Sequence, residues 1–241
     1  MPAPRKSAIA VTGGNRGIGA AVVRDLMARG LTVGCLSRSG TGPDGAIAIR
    51  CDVTREADLQ AAFATLADQT GGLAGLVNNA GFHTEGRSAT LATDDFNAVM
   101  ATNATAVFAA CREAHPFLVR SGGGVIVNIG SFFDKLGVKR NLAYCASKAA
   151  VGAITRCLAV EWAADDIQVV NVAPGYIETD LNRETMAEGS ALRNYLARRI
   201  PGRRPGQPAE VARLVGQLIA EPNAFLSGET IYLDGAQGIA H

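Results

Sequence analysis

Short apolar segments alternate with longer segments of helical periodicity along most of the chain. The apolar segments predict seven β-strands, at 8–12, 32–37, 46–51, 75–78, 124–129, 168–172 and 230–233. They lack the alternation of apolar and polar residues that a half-exposed strand shows, which is typical of parallel strands covered on both faces. The pattern therefore predicts an α/β fold in which helices cover both faces of a seven-stranded, doubly wound parallel sheet.

The segments between the strands predict five helices, at 17–29, 55–69, 94–119, 143–163 and 208–220. Thr54 and Thr93 precede two of these helices and are predicted to be their N-caps. Segment 182–206 is rich in arginine, contains two prolines and has no strand pattern. We expect this segment to be a mobile lid over the functional site.

Composition narrows the class of protein. The 241 residues are 48% hydrophobic with a formal net charge of +1, which allows a large core and does not suggest nucleic-acid or anionic-membrane binding. No break in composition divides the chain, so we expect residues 1–241 to form a single domain. Five cysteines without Cys-x-x-Cys spacing favour reduced thiols. Without a signal-type stretch or membrane-length apolar run, the sequence predicts a soluble, cytoplasmic protein.

A glycine-rich loop follows the first predicted strand and precedes the first helix. Gly13 can form the sharp turn out of the strand, Gly17 allows the backbone to approach a pyrophosphate, and Gly19 permits close helix–sheet packing. The N-terminus of the helix offers free N–H groups to an anion. This strand–loop–helix context predicts a Rossmann-type dinucleotide site. Other loop residues assigned to it are Asn15, Arg16 and Ile18.

The end of the second predicted strand indicates which dinucleotide is bound. An NAD site would have a carboxylate here for the ribose 2′-hydroxyl, but the chain has Ser37, Arg38 and Ser39. Arg38 and Arg16 could instead contact a 2′-phosphate, although both could also be ordinary surface charges. The sequence therefore favours NADP, with NAD as the alternative.

A tyrosine and a lysine one helical turn apart are the main candidates for proton chemistry. Tyr144 and Lys148 occupy positions i and i+4 and would share one face of the helix. A phenol has a pKa of about 10, and a nearby cation lowers that pKa toward the working range of a general acid or base. Such a pair alone usually marks a solvated helix face, so the assignment depends on the neighbouring motifs.

Together these motifs resemble the short-chain dehydrogenase/reductase family over nearly the whole chain. The matching segments are Thr12-Gly13-x-x-x-Gly17-x-Gly19, Asp52-Val53, Asn78-Asn79-Ala80-Gly81, Asn103, Ser131, Tyr144-x-x-x-Lys148 and Pro174-Gly175-x-x-x-Thr179. The resemblance implies an oxidoreductase that transfers a hydride between a nicotinamide cofactor and a ketone or secondary alcohol. The protein would orient the cofactor and handle the proton.

The resemblance implies four catalytic residues. Tyr144 would exchange a proton with the substrate oxygen, and Lys148 would lower the pKa of Tyr144 and bind the nicotinamide ribose. Ser131 would stabilise the developing oxyanion, and Asn103 would hold a helix irregularity and a water of the proton relay. No metal is implied, since the three histidines lack zinc-ligand spacing: His83, His115 and His241.

The resemblance also implies cofactor contacts from three further segments. Asp52 would accept a hydrogen bond from the adenine amino group, although it could equally form a turn before Thr54. Residues after the fourth strand would pass under the adenosine ribose, and residues after the sixth would cover the nicotinamide. These expected contacts are Val53, Asn79, Ala80, Gly81, Pro174, Gly175, Ile177 and Thr179, with Asn78 beside them.

Two features bear on the substrate. The chain is similar to bacterial 3-oxoacyl-thioester reductases and to carbonyl reductases, but segment 121–124 is neutral and Asp165-Asp166 is acidic where carrier-dependent reductases tend to be basic. Segment 132–136 is bulky and half apolar, which suits a compact ketone or secondary alcohol. Arginines in the lid leave an anionic substrate open: Arg183, Arg193, Arg198 and Arg199.

Two broader expectations remain. A non-catalytic dinucleotide-binding regulator on the same fold is the alternative to an enzyme, but the complete set of four catalytic residues favours the enzyme. Family members pair the helices predicted at 94–119 and 143–163 across symmetric interfaces, so a homodimer or homotetramer is expected. Residues predicted for the outer faces of these helices are Val99, Phe108, Ile154, Leu158 and Trp162.

Overall fold

A computed structural model describes residues 7–180 and 182–240, so the expectations for the first six residues and for His241 lie outside the described parts. The seven predicted strands are present: Ala8–Thr12 (β1), Val33–Ser37 (β2), Ile47–Arg50 (β3), Leu73–Asn78 (β4), Gly124–Ile129 (β5), Ile167–Pro174 (β6) and Thr230–Leu233 (β7). They form one parallel sheet in the order β3-β2-β1-β4-β5-β6-β7. The strand order reverses between β1 and β4, where ligands of such sheets bind beyond the carboxyl ends.

Helices cover both faces of this sheet, which confirms the predicted doubly wound α/β fold in a single domain. They are Gly17–Ala28 (α1), Glu56–Thr70 (α2), Thr93–Met100 (α3), Ala106–Arg120 (α4), Leu142–Glu161 (α5), Ala191–Arg199 (α6) and Pro208–Ala220 (α7). One apolar core lies between the sheet and α1 and α7, and a second lies between the sheet and α2, α4 and α5. None of the helices described is long and apolar enough to cross a membrane.

The two edge strands depart from the prediction of uniformly buried strands. In β3, half-buried Ile47 and Ile49 alternate with exposed Ala48 and Arg50. Strand β7 is also only partly buried. Each edge strand has a neighbour on one side only, so its outer residues stay accessible to water.

Both predicted threonine N-caps are wrong. Helix α2 is capped at Arg55 and α3 at Ala92, neither with a side-chain hydrogen bond. The Thr54 hydroxyl instead donates to the Asp52 carboxylate at 2.7 Å, in a turn before α2. Thr93 is the first residue inside α3.

Segment 182–206 contains a helix that the sequence pattern did not predict. In α6, Leu196 is fully buried, and it clusters with Met186 and Ile200 against Tyr176 and Leu192. The segment is therefore folded against the residues that follow β6. It was missed because α6 is arginine-rich and contributes a single buried side chain, which leaves no apolar stripe to recognise.

The residues expected on the outer faces of α3–α5 divide into three groups. Val99 and Leu158 are buried, so their predicted outward orientation is wrong. Ile154 and Trp162 are partly buried against the core beneath them. Phe108 is 42% exposed and does face outward. The buried pair faces the protein interior because the apolar stripe of a covering helix is directed to the sheet.

Candidate active site

The glycine loop joins β1 to α1 at the switch point of the sheet. Gly13 and Gly17 have φ of +63° and +53°, a region that favours glycine. A Cβ atom on Gly19 would lie 2.2 Å from the carbonyl oxygen of Gly13. Glycine at this position therefore allows α1 to begin against the loop, as the spacing of the motif predicted.

Asn79 ties this loop to the end of β4. Its amide nitrogen donates to the carbonyl oxygens of Thr12 at 3.1 Å and Gly13 at 3.0 Å. In return, the Thr12 hydroxyl accepts from the backbone N–H groups of Asn79 and Ala80 at 3.0 and 3.1 Å. The side chain of Asn79 therefore holds the two strand ends together. Asn78 is buried and bonds to Asn128 at 2.9 Å, so its side chain belongs to the core.

A cavity of about 260 Å³ opens beside the N-terminus of α1. Arg16 is the N-cap of the helix, and no side-chain hydrogen bond caps the helix there. The first N–H groups and the positive end of the helix dipole therefore face this region, which suits an anionic group such as a pyrophosphate. Cavity-lining residues from the predicted cofactor set are Asn15, Arg16, Gly17 and Thr179.

The turn after β2 is held by hydroxyl groups. Ser37 donates to the carbonyl oxygen of Thr41 at 2.8 Å, and the hydroxyls of Ser39 and Thr41 lie 2.7 Å apart. Asn15 of the glycine loop donates to Ser39 at 3.4 Å. The turn therefore lies against the glycine loop, and Arg38 is exposed at its tip.

Arg38 also lies close to Asp52, which is half-buried. Hydrogen bonds from Thr54 lower the pKa of the Asp52 carboxyl, and the charge of Arg38 contributes to the same shift. One Asp52 oxygen accepts both bonds from Thr54. The turn that was the alternative role of Asp52 is thus present, and it leaves the other oxygen for a further donor.

Lys148 is a buried cation behind Tyr144. It is 6% exposed, and its Nζ donates to the carbonyl oxygen of Ile129 at 2.8 Å. Burial lowers the pKa of Lys148 to about 8. Nζ lies 5.7 Å from the centre of the Tyr144 ring, so the pair does share one face of α5.

The pKa of the Tyr144 phenol shifts in the direction opposite to the one expected from its lysine neighbour. Burial raises this pKa, and interaction with the Ser131 hydroxyl offsets only part of the rise. The ammonium of Lys148 is directed to a backbone carbonyl instead. Ser131 is buried two residues after the end of β5, and its hydroxyl accepts from the N–H of Phe133 at 3.2 Å.

Asn103 lies in a π-helical turn, Ala101–Thr105, which interrupts the helix predicted at 94–119. Its amide accepts from the N–H of Phe82 at 3.0 Å and donates to the Phe82 carbonyl at 2.9 Å. A Cβ atom on Gly81 would lie 3.0 Å from Asn103 Oδ1 and 3.9 Å from Lys148 Nζ. Asn103 and Lys148 therefore meet at Gly81, and the helix irregularity expected at Asn103 is present.

The segment after β6 leads from the end of the sheet to the glycine loop. The N–H of Gly175 donates to Leu233 at 3.0 Å, and Ile177 pairs with Gly206 at the end of the lid segment. The N–H of Thr179 donates to Asn182 at 2.7 Å. The Thr179 methyl group lies 3.7 Å from where a Cβ on Gly17 would be, so this segment reaches the glycine loop.

Aromatic rings form one wall beside Tyr144. Phe133 lies 5.9 Å from both Tyr144 and Tyr176, measured between ring centres, and Phe132 lies 5.7 Å from Tyr176. The sequence predicted bulk at 132–136 but did not single out Tyr176. It also missed His83, which packs 4.9 Å from the Tyr144 ring. The sequence did offer a signal for each residue, because His83 comes two residues after Gly81 and Tyr176 directly follows Gly175.

The described residues include no group of three or more His, Cys, Asp or Glu side chains that could hold a metal ion. The fold, the uncapped helix N-terminus and the meeting of Ser131, Tyr144 and Lys148 define a class of protein, the Rossmann-type NAD(P)-dependent oxidoreductases. A family model described as enoyl-(acyl carrier protein) reductase matches residues 13–236. The chain belongs to the short-chain dehydrogenase/reductase family, whose members use a nicotinamide cofactor on CH–OH and C=O groups.

Named relatives span several substrates. The chain is 34% identical over 233 residues to 3-oxoacyl-[acyl-carrier-protein] reductase MabA of Mycobacterium tuberculosis, covering 97% of this chain and 93% of the relative. It is 34% identical to glucose 1-dehydrogenase of Gluconobacter oxydans, covering 98% and 95%. The structure of Thermoplasma acidophilum aldohexose dehydrogenase superposes with a TM-score of 0.90 at 28% identity, covering 98% and 96%.

Proposed function

We propose that the chain transfers a hydride between NADP(H) and a small ketone or secondary alcohol, with Asn103, Ser131, Tyr144 and Lys148 as its catalytic residues. The observation that carries this proposal is the meeting of these four side chains at the carboxyl end of the sheet. Ser131 interacts with the Tyr144 phenol, and Lys148 and Asn103 lie together at Gly81.

A bound nicotinamide would supply or accept the hydride at the reacting carbon. During reduction, Tyr144 donates its phenolic proton to the carbonyl oxygen, and the Ser131 hydroxyl donates a hydrogen bond to the same oxygen as it becomes negative. Lys148 supplies a positive charge that stabilises the phenolate left behind. Alcohol oxidation reverses these proton movements. Asn103 holds the π turn beside Lys148 through its two hydrogen bonds to the Phe82 backbone.

The residues around the glycine loop would hold the cofactor. The free N–H groups of α1 suit the pyrophosphate, and the segment after β6 suits the nicotinamide. The proposed contacts are Gly13, Asn15, Arg16, Gly17, Ile18, Gly19, Ser37, Arg38, Ser39, Asp52, Val53, Asn79, Ala80, Gly81, Tyr144, Lys148, Pro174, Gly175, Ile177 and Thr179. NADP is proposed over NAD because exposed Arg38 replaces a carboxylate after β2.

Three further properties are proposed with this function. Residues 182–206 form a lid, supported by the packing of α6 on Tyr176 near the aromatic wall. The protein is a homo-oligomer, supported by the exposure of Phe108 on α4 and of Val160 on α5. The cytoplasmic location stays a prediction based on cysteine content.

Reduction of 3-oxoacyl thioesters is the second candidate, and the similarity to MabA favours it. The lid arginines give it less support than their number suggests. Arg183 is paired with Asp180, and Arg193 lies 3.1 Å from Glu178. Two of the four positive charges are therefore matched by acidic partners within the chain.

The test of the proposed function is the Tyr144→Phe variant assayed on a panel of ketones, sugars, 3-oxoacyl thioesters and an enoyl thioester. The variant keeps the ring but loses the proton donor. Turnover of the best substrate should fall at least the roughly 10²–10⁴-fold typical of general acid–base groups, while NADPH binding measured by fluorescence titration is retained. Turnover within a few-fold of wild type would exclude Tyr144 as the general acid.

A further inference from the structure

The loop after β4 brings an imidazole to the catalytic tyrosine. His83 is exposed, and its ring stands at 85° to the Tyr144 ring with the ring centres 4.9 Å apart. Phe133 stands in the same orientation to Tyr144 at 5.9 Å. Tyr144 therefore has an aromatic neighbour and an imidazole neighbour, and the mechanism above uses neither.

The hydrogen bonds of Asn141 fix the tautomer of this imidazole. Asn141 is buried, and its Nδ2 donates to the carbonyl oxygen of Lys139 at 2.9 Å, which leaves Oδ1 to bond with Nε2 of His83. An amide oxygen only accepts, so Nε2 must carry the proton. In the neutral ring Nδ1 is then a hydrogen-bond acceptor. Within residues 7–180 and 182–240, Nδ1 has no hydrogen-bond partner of its own.

The backbone holds His83 in this place. The N–H of Gly86 donates to the carbonyl oxygen of Arg140 at 2.9 Å, so the loop is joined to the turn before α5. Arg140 has φ of +66°, which is unfavourable for a residue with a side chain and persists where surrounding structure enforces it. The turn and the loop therefore form one unit beside Tyr144.

A second acceptor extends the same edge of the cleft. Burial raises the pKa of the Tyr176 phenol, and the charge of nearby Glu85 adds to the rise. The loop thus offers an imidazole ring beside Tyr144 and a carboxylate near Tyr176. Both groups accept hydrogen bonds from hydroxyls and disfavour substrate groups that only accept, such as a thioester carbonyl.

From this geometry we propose that His83, positioned by Asn141, is a specificity-determining residue that accepts a hydrogen bond from a substrate hydroxyl adjacent to the reacting carbon. The substrate class is then an α-hydroxy ketone or the corresponding vicinal diol. A 3-oxoacyl thioester has a CH₂ group and a second carbonyl at this place, and neither can donate to Nδ1. The inference rests on the proposed function and narrows its substrate.

The test compares 3-hydroxybutan-2-one with butan-2-one, which differ by the adjacent hydroxyl. A hydroxyl attached to the carbon next to a carbonyl also changes intrinsic reactivity, so the informative quantity is the ratio of the two kcat/KM values in each protein. His83→Phe keeps a ring against Tyr144 but removes the acceptor. We expect this ratio to fall about tenfold, as the loss of one hydrogen bond predicts, mainly through a higher KM for the hydroxy ketone.

His83→Asn is the matched control, because its amide oxygen can accept a hydrogen bond close to the position of Nδ1. It should restore at least half of the lost preference on a logarithmic scale. If His83→Phe reduces both ketones with an unchanged kcat/KM ratio, or if the ratio in His83→Asn is as low as in His83→Phe, the role of His83 is wrong. The proposed function would stand in either case. Failure of the wild type to reduce either ketone or oxidise the matching alcohols would overturn the proposed function and this inference together.

Discussion

Lys148 combines a charge with almost complete burial. Its Nζ donates a hydrogen bond to the Ile129 carbonyl, and burial lowers its pKa to about 8. A lysine side chain in water has an ordinary pKa of 10.5. The folded protein therefore releases this proton more readily than the unfolded chain does, so the lysine makes the stability of the cofactor-free protein depend on pH.

Replacing Lys148 by methionine should expose this dependence. Below about pH 8 both states of the wild type hold the proton, and the folded state bears the full cost of the buried charge. Between pH 8 and 10.5 the unfolded state binds more protons, so the free energy of unfolding rises with pH through this group. Relative to Lys148→Met, wild-type stability should rise by up to about 3 kcal/mol across this range.

Urea unfolding of the cofactor-free proteins at a series of pH values measures this difference. Lys139→Met, at an exposed lysine, is the control and should follow the wild type in parallel. If the free energies of unfolding of the wild type and of Lys148→Met differ by a constant amount from pH 7.5 to 10.5, Lys148 has an ordinary pKa in the fold.

Arg38 should decide the choice of cofactor. Arg38→Asp removes the proposed partner of the 2′-phosphate and adds an acceptor for a ribose hydroxyl, and its negative charge would repel the phosphate. The NADPH-to-NADH ratio of kcat/KM should fall by about 10–100-fold or more, the size of a lost charge-assisted hydrogen bond. Arg120→Asp makes the same charge change at the end of α4 and should keep the wild-type ratio. A wild-type preference for NADH would contradict the assignment.

At the scale of elements, hydroxyl and amide side chains join α5, which carries Tyr144 and Lys148, to the sheet. Asn128 of β5 donates to the Thr155 hydroxyl at 2.9 Å, and both side chains are fully buried. Asn128 lies three residues before Ser131, and Thr155 lies two helical turns after Lys148 on the same side of α5. This bond therefore contributes to the position of α5 relative to the end of β5.

Thr155→Val keeps the shape of the side chain but leaves the Asn128 amide without this acceptor. The unpaired buried donor should cost about 1–3 kcal/mol of unfolding free energy, and kcat should fall because Ser131 and Tyr144 are held less rigidly. Thr155→Ser retains the hydroxyl and should restore most of the stability. Equal destabilisation by valine and serine in urea titrations would assign the effect to packing instead.

The sequence predicted these elements unevenly, and the reasons are physical. Strands β1 and β5 and helix α7 have the predicted ends, because buried apolar segments mark the strands and a proline at the first position marks α7. The partly buried strand β7 also has the predicted ends. The break between α3 and α4 was not apparent from periodicity, since a π turn shifts the pattern by one residue. Only the family resemblance at Asn103 indicated it.

In the candidate site, too, the sequence predicted local features and missed contacts between distant residues. The i and i+4 spacing of Tyr144 and Lys148 made them candidates, and the neighbouring motifs, all of them local in sequence, supported the assignment. The contact between His83 and Asn141 joins positions 58 residues apart, and it depends on how two loops meet beyond the sheet. The direction of the Tyr144 pKa shift also requires the fold, since burial dominates it.

At the scale of the whole molecule, two surfaces lie at opposite ends of the strands. The four proposed catalytic residues lie toward the carboxyl ends of the strands, whereas segment 121–124 and Asp165-Asp166 lie at the amino ends of β5 and β6. These two stretches are neighbours, since the N–H of Gly124 donates to the Asp166 carbonyl at 3.1 Å. Asp165 is paired with His115 at 2.9 Å, and Asp166 is exposed. The surface they form is therefore neutral to acidic. A basic residue, Arg120 of α4, directly precedes segment 121–124 in the sequence.

This surface predicts how a carrier-bound substrate behaves. An acidic carrier protein gains no electrostatic attraction from exposed Asp166, and like charges oppose the encounter. A 3-oxoacyl group on the carrier should therefore be reduced with a kcat/KM no higher than that of its short thioester mimic, at low and at high salt. Asp166→Asn removes the negative charge and keeps a residue that tolerates the φ of +56° at this position. It should raise the kcat/KM for the carrier-bound form relative to that for the mimic.

The alternative is that the carrier docks on the lid arginines, which Arg198→Gln and Arg199→Gln test. The prediction would be contradicted if the wild type strongly preferred the carrier-bound substrate, if salt abolished this preference and if these two variants weakened it. That result would make 3-oxoacyl-thioester reduction the function.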